Sequence, residues 1–144
     1  MLASLLFVAA NQPVDQANEK QSVFADRYKE SLVLWYCDDL LTEYLNAQAV
    51  SYLEQYGIRI TPVLVSGVDF FEHMNQASIS GNDAPDLYLT QNSNLEKAVL
   101  SGLACKVTDN SKVLTTASYP QTALDAITYQ SEMVAYPLYY ETAF

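Results

Sequence analysis

Short apolar runs alternate with helical patterns through residues 31–102, and this alternation limits the folds open to the 144-residue chain more than any other feature. Residues 31–36 form an apolar run without strict alternation, as suits a strand buried on both faces. After Asp38 and Asp39, residues Leu41, Tyr44, Leu45, Gln48, Tyr52, Leu53 and Tyr56 recur at helical spacing. Acidic residues at the start suit the positive end of a helix dipole, and Gly57 is a natural stop. Residues 58–65 read as a second strand. Pro62 cannot donate to a ladder and so places that strand at an edge or a bulge. A second helix is predicted over 68–79, with Phe70, Phe71 and Met74 as packing residues. Residues 81–85 form a loop by composition, and 86–90 a third strand. Ser93 and Glu96 stand at capping-box spacing before a helix that Gly102 ends. The order β-α-β-α-β-α predicts an α/β fold with helices packed on a mixed, mostly parallel sheet. Farther on, residues 126–129 and 133–140 flank Gln130, Ser131 and Glu132 and read as a hairpin.

Seven Lys and Arg face 17 Asp and Glu, a formal net charge of −10. Nucleic-acid binding needs cationic side chains to displace counterions from phosphates, so that class is excluded, as is a polybasic membrane contact. Cys37 and Cys105 fall in different segments and read as free, semi-buried thiols rather than a metal pair. The single histidine, His73, has no ligand at metal spacing, and nothing in the sequence brings it to either cysteine as a catalytic base. None of the four glycines forms a phosphate-cradling motif. No metal, cofactor or catalytic residue is expected.

Residues 1–10 are almost wholly apolar and residues 11–22 mostly polar. Ten apolar residues are too few for a membrane-spanning helix, which takes roughly 20. The run fits the apolar part of a signal peptide, with Ala9 and Ala10 near a cleavage point, although no Lys or Arg precedes it. It is expected to be an export or anchor remnant; an apolar first strand or helix is the other reading. The predicted division is therefore 1–30, remnant and polar linker, and 31–144, the globular unit.

Four features occur in order along residues 32–142. They are the opening strand Leu32 to Trp35 with its helix ending in Tyr56, Gly57 and Ile58; the string Ser80 to Tyr88 containing Gly81, Pro85 and Asp86; Leu100, Ser101, Gly102 and Leu103; and the hairpin leading to Ala135, Tyr136, Pro137, Tyr139, Tyr140, Glu141 and Thr142. Together they resemble the family 1 extracellular solute-binding proteins. The resemblance implies a periplasmic-binding-protein-like type II lobe, incomplete, being the amino-terminal lobe of a two-lobed receptor cut at the interlobe crossing. It implies capture of an extracellular solute, expected to be an oligosaccharide, for the permease of an ABC importer. It also implies an exported, monomeric, non-enzymatic protein in the periplasm or on the outer face of the membrane. The sequence departs from the family in lacking a lipobox cysteine, in Asp38 and Asp39 following a Cys, and in carrying Thr90, Gln91 and Asn92 where some sugar binders have an aromatic residue.

Ligands of open α/β sheets bind beyond the carboxyl ends of the strands. Three loops are therefore candidates. Asp38 and Asp39 offer charge-assisted hydrogen bonds to adjacent hydroxyls, or else cap the following helix. Thr90, Gln91 and Asn92 offer donors and acceptors suited to neutral polyols, with capping again the alternative for Asn92. Tyr139, Tyr140 and Glu141 offer aromatic faces and an acceptor, or else hinge packing. A glycoside-processing enzyme using Asp39 and Glu141 as acid and base, and a ligand-sensing ectodomain, remain as alternatives.

Overall fold

The computed structural model describes residues 2–8, 30–81, 84–109 and 112–141, with the backbone alone for 2–8, 140 and 141. The polar linker after residue 8, Asn82 and Asp83 of the expected loop, and Thr142 lie outside the described residues.

Among the described residues seven strands form: β1 (Leu2–Val8), β2 (Glu30–Tyr36), β3 (Ile58–Leu64), β4 (Leu87–Gln91), β5 (Thr128–Tyr129), β6 (Glu132–Met133) and β7 (Tyr136–Glu141). Among the same residues four α-helices accompany them: α1 (Thr42–Tyr56), α2 (Phe70–Ser80), α3 (Leu95–Leu100) and α4 (Gln121–Ala126). The main sheet has the order β3-β2-β4-β1-β7. Strand β2 runs parallel to both β3 and β4, from Glu30 opposite Ile58 to Tyr36 opposite Leu64 on one side and with Trp35 opposite Tyr88 on the other. The α/β alternation therefore holds, and Pro62 lies on the outer strand, where no ladder lacks its missing donor.

Asp86 sets the β2–β4 register by acting as if it were a strand residue twice over. Its backbone N–H donates to Val33 O at 3.0 Å, and its carboxylate accepts from Val33 N–H at 2.8 Å. Pro85 beside it is fully buried. The Pro-Asp pair thus ends the loop and starts the strand in one step.

The two sheet faces carry unequal cores. One packs Phe70, Phe71 and Met74 of α2 with Tyr88, Leu95, Ala98, Ile127 and Ala135. Tyr88 is fully buried, and its hydroxyl donates to Leu103 O at 3.0 Å. The other face is smaller: Leu34, Tyr36 and Leu89 meet Leu45 of α1. The face of α1 that packs runs through Leu45, Ala49 and Leu53. Tyr44 and Tyr52 stand one residue earlier on their turns, about 100° around the helix, and are 52% and 41% exposed rather than core. Tyr56 is also exposed, and its ring centroid lies 4.5 Å from that of Tyr52. Gly57 ends α1 in the left-handed region at φ 72°, as a C-cap requires.

Several expectations are corrected. The run read as an export or anchor remnant supplies β1, which lies inside the sheet and pairs antiparallel with β4 and β7. The division at residue 30 thus separates a strand from its own sheet. The long hairpin is a two-residue pair, β5 with β6, turned by Gln130 and Ser131 at positive φ; the chain then departs from it and joins the main sheet as β7. Residues 121–126 form α4, which the strand-like reading of the segment after residue 126 did not include. The Ser93–Glu96 capping box does not form, because Asn92–Asn94 is a 3-10 turn and α3 begins at Leu95. Both cysteines are free, but both are exposed rather than semi-buried.

Candidate functional site

Strands β2, β3 and β4 end at the same edge of the sheet because they run parallel, so the loops that leave them converge. The backbone pairing of β2 and β3 continues one step beyond the strands, with Val65 N–H donating to Tyr36 O at 2.8 Å. That bond carries the β3–α2 loop across toward Cys37. A cavity of about 480 Å3 opens there. Asp69 and Glu72, at the start of α2, line it together with Gln91, Asn94 and Lys97. Phe70 and Phe71, both buried, form part of its lining.

The polar groups of the cavity differ in kind. Asp69 and Glu72 carry carboxylates, which accept hydrogen bonds, and Lys97 carries an ammonium, which donates. Thr90, Gln91 and Asn94 can do both. Lys97 Nζ is held 5.0 Å from the centre of the Phe71 ring, a cation–π contact that fixes the charge at the cavity wall. Thr90 is the one buried polar residue among those described, at 4% exposure, and its hydroxyl accepts from Asn94 Nδ2 at 3.1 Å. Asn94 is thereby aimed along the rim instead of capping α3.

A smaller cavity of about 50 Å3 adjoins on the α1 side, lined by Asp38, Leu41 and Tyr139 among others. Cys37, Thr90 and Gln91 line both cavities, so the two form one furrow along the carboxyl edge of the sheet. Cys37 is exposed as a residue, yet protein packed beside it strips part of the water from its sulfur. That partial burial, and secondly the Asp38 charge, push the thiol above its ordinary range. At neutral pH it is a neutral thiol, which is a poor nucleophile.

The sequence-predicted residues fall into three groups. Thr90 and Gln91 line the furrow from its centre, and Asp38 and Tyr139 from its narrow end. Asp38 is also the predicted cap: its Oδ1 accepts from Leu40 N–H at 3.1 Å, while its Oδ2 accepts from the Tyr139 hydroxyl at 3.3 Å. Asp39 and Asn92 belong to 3-10 turns and line neither cavity. Tyr140 and Glu141 are placed by backbone only, opposite Ala3 and Leu2 of β1. Sequence reasoning missed the β3–α2 loop with Asp69 and Glu72, and it missed Lys97. The rule that named the other loops applies equally to this one; treating β3 as a mere edge strand hid it. Among the described residues, no cluster of three His, Cys, Asp or Glu side chains could hold a metal ion.

No protein-family model and no curated protein sequence matches the chain. Its fold is similar to those of many solved structures, of which two follow. One is the extracellular solute-binding protein from Staphylococcus aureus in complex with maltose, at 22% identity and a TM-score of 0.63 over 72% of this chain and 27% of that one. The other is the maltose-binding periplasmic protein MalE from Listeria monocytogenes in complex with maltose, at 15% identity and a TM-score of 0.62 over 76% of this chain and 26% of that one. The chain thus spans about a quarter of the length of each. At these identities the likeness establishes the fold: this is a periplasmic-binding-protein-like α/β unit.

Proposed function

We propose that the furrow binds a neutral, hydroxyl-rich solute, an oligosaccharide, and that it does so without converting it. The observation that carries this reading is the mixture of groups around the large cavity. Acceptors (Asp69, Glu72), a donor (Lys97) and two-way groups (Gln91, Asn94) lining one cavity suit a ligand whose every hydroxyl both gives and takes a hydrogen bond. Maltose is the ligand named for both similar structures, which supports the same class here.

On this reading Asp38, Thr90, Gln91 and Tyr139 join the cavity residues in contacting or shaping the site. Tyr140 and Glu141 extend it along β7, and Asp39 and Asn92 serve its flanking turns. The protein works outside the cell membrane or in the periplasm as a monomer, handing its solute to an ABC importer permease. A second wall closes over the furrow by a hinge.

Titration of the isotopically labelled chain with maltose, maltotriose and a control tripeptide tests the proposal. Amide shifts should move at Asp69, Glu72, Gln91 and Lys97 with the saccharides alone. One wall leaves most of a ligand in water, so the chain by itself should bind with a Kd on the order of a millimolar. Shifts with the tripeptide alone, or at residues away from the furrow, would overturn the proposal, and release of a cleaved sugar would replace it with the enzymatic reading.

A further inference from the structure

Helices α1, α2 and α3 each follow a strand of the parallel trio, so each begins at the edge where the furrow lies. The start of a helix carries the positive end of its dipole and by itself draws anions. Here every one of these starts is covered by acid. Asp39 and Glu43 stand where the chain enters α1, Asp69 and Glu72 where it enters α2, and Glu96 in the first turn of α3. Asp69 occupies the cap position of α2, yet its side chain makes no cap bond, so that carboxylate is not committed to its own helix. Three carboxylates (Asp38, Asp69 and Glu72) and one ammonium, that of Lys97, line the furrow. Lys97 cancels none of them. It sits over the Phe71 ring, and the one ion pair among the described residues joins Lys106 to Glu132, which line neither cavity.

We infer, resting on the saccharide reading above, that Asp69 and Glu72 are specificity-determining residues that make the furrow rank saccharides by charge. A saccharide bearing an amino group binds more tightly than its neutral parent, and one bearing a carboxylate or phosphate binds more weakly. A sugar hydroxyl can give a hydrogen bond to either carboxylate, so a neutral chain is accepted. An ammonium in its place gives only, and adds the attraction of opposite charges. A carboxylate or phosphate sets acceptors against acceptors and adds repulsion. Both side chains are exposed, so water moderates the effect. At about 6 Å in water a unit charge changes affinity by about 3-fold per carboxylate. Asp38 contributes less to ligand bonding, because its two oxygens already accept from Leu40 N–H and the Tyr139 hydroxyl. Lys97 works against the ranking as the furrow's one cation, which fixes the sign of what its removal does.

The test compares three near-isosteric ligands by amide-shift titration of the full chain: maltotriose, its terminal C6 amine and its terminal C6 carboxylate. At about 20 mM salt the amine should bind about 3-fold more tightly than maltotriose and the carboxylate about 5- to 10-fold more weakly. Raising salt to about 0.5 M should close most of that gap. Asp69→Asn with Glu72→Gln should bring the three ligands within about 2-fold, and each single variant should close part of the gap. Lys97→Met should widen it. Glu54→Gln, near the far end of α1, removes one charge outside the furrow and should leave the ranking as it is. Equal binding of all three ligands while maltotriose moves the furrow amides overturns this inference and leaves the saccharide reading standing. A gap that Glu54→Gln closes as well as Asp69→Asn, or that Lys97→Met narrows, overturns it too. Furrow amides unmoved by maltotriose and by its amine overturn both.

Discussion

The Tyr139 hydroxyl donates to Asp38 Oδ2 at 3.3 Å and so ties β7 to the loop after β2, 101 residues away in sequence. The other oxygen of the same carboxylate caps the 3-10 turn at Leu40. One side chain therefore holds two ends of the small cavity. Replacing Tyr139 by Phe should cost about 1 kcal/mol, the usual worth of one such bond. Asp38→Ala should cost about 2 kcal/mol, since it also removes the cap. Urea unfolding of both variants checks the order; equal costs would show that the cap adds nothing beyond the tyrosine bond.

Asp86 is the more demanding case. Its carboxylate takes the place of a strand partner for Val33 N–H in the β2–β4 ladder. Asp86→Ala should destabilise by about 2–3 kcal/mol, the range for charge-assisted bonds and for a donor left unpaired. Asp86→Asn should recover part of this, because its amide oxygen can still accept. A denaturant midpoint unchanged by the alanine variant would show that β2 and β4 find their register without the clip.

Alkaline pH should unfold the protein by way of Tyr88. Burial, and secondly the nearby Cys105, push its phenol well above the ordinary value near 10. A folded-state pKa raised above the unfolded one means stability that is complete below about pH 10 and is lost as pH rises beyond it. Tyr88→Phe should cost about 1–3 kcal/mol at neutral pH by leaving Leu103 O unpaired, yet it should flatten the alkaline loss. Melting temperatures from pH 7 to 11.5 separate the two effects, and parallel curves for parent and variant would refute the assignment.

Much of this could be read from the chain, and the failures have physical reasons. Strand β2 was legible from its unbroken apolar run, and Pro62 correctly marked β3 as an edge. The helix spacing around α1 was legible too, but not which of two adjacent ridges packs. Tyrosines and leucines one residue apart carry the same periodic signal, and only the sheet decides between them. The antiparallel place of β1 was hidden because its partners lie far along the sequence; an apolar run of that length fits a signal segment as well as a strand. Asp38, Thr90, Gln91 and Tyr139, which the strand-end rule named, line the furrow. Lys97 was not named, since it reaches the cavity from within a helix and depends on the position of Phe71.

Gln91 offers the cleanest test of the furrow. Its side chain is exposed and lines both cavities, so stability should hardly depend on it. Gln91→Ala should weaken saccharide binding by about 5- to 30-fold, the equivalent of one or two hydrogen bonds. The melting temperature should stay within about 2 °C. Unchanged binding would place the ligand elsewhere.

The single ion pair among the described residues, Lys106 Nζ to Glu132 at 2.6 Å, should matter little despite its short distance. Both side chains are about half exposed or more, at 67% and 49%, and water screens them. Lys106→Ala should change stability by less than about 0.5 kcal/mol, and its loss should not alter with added salt. A larger, salt-dependent loss would mean that the β5–β6 turn relies on the charge.

The place of β1 has a consequence for how the chain is made. It is synthesised before any of its partners, yet its two neighbours are β4 and β7, the latter paired as far as Leu2 with Glu141. During translation the parallel trio β2, β3 and β4 can assemble while β1 still lacks its second partner. An apolar, β-prone segment therefore waits with one side open until β7 emerges, which is the interval in which such segments recruit chaperones or aggregate. Among the described elements, closing the sheet is the last long-range step, and its rate should track the arrival of β7 rather than the formation of any helix.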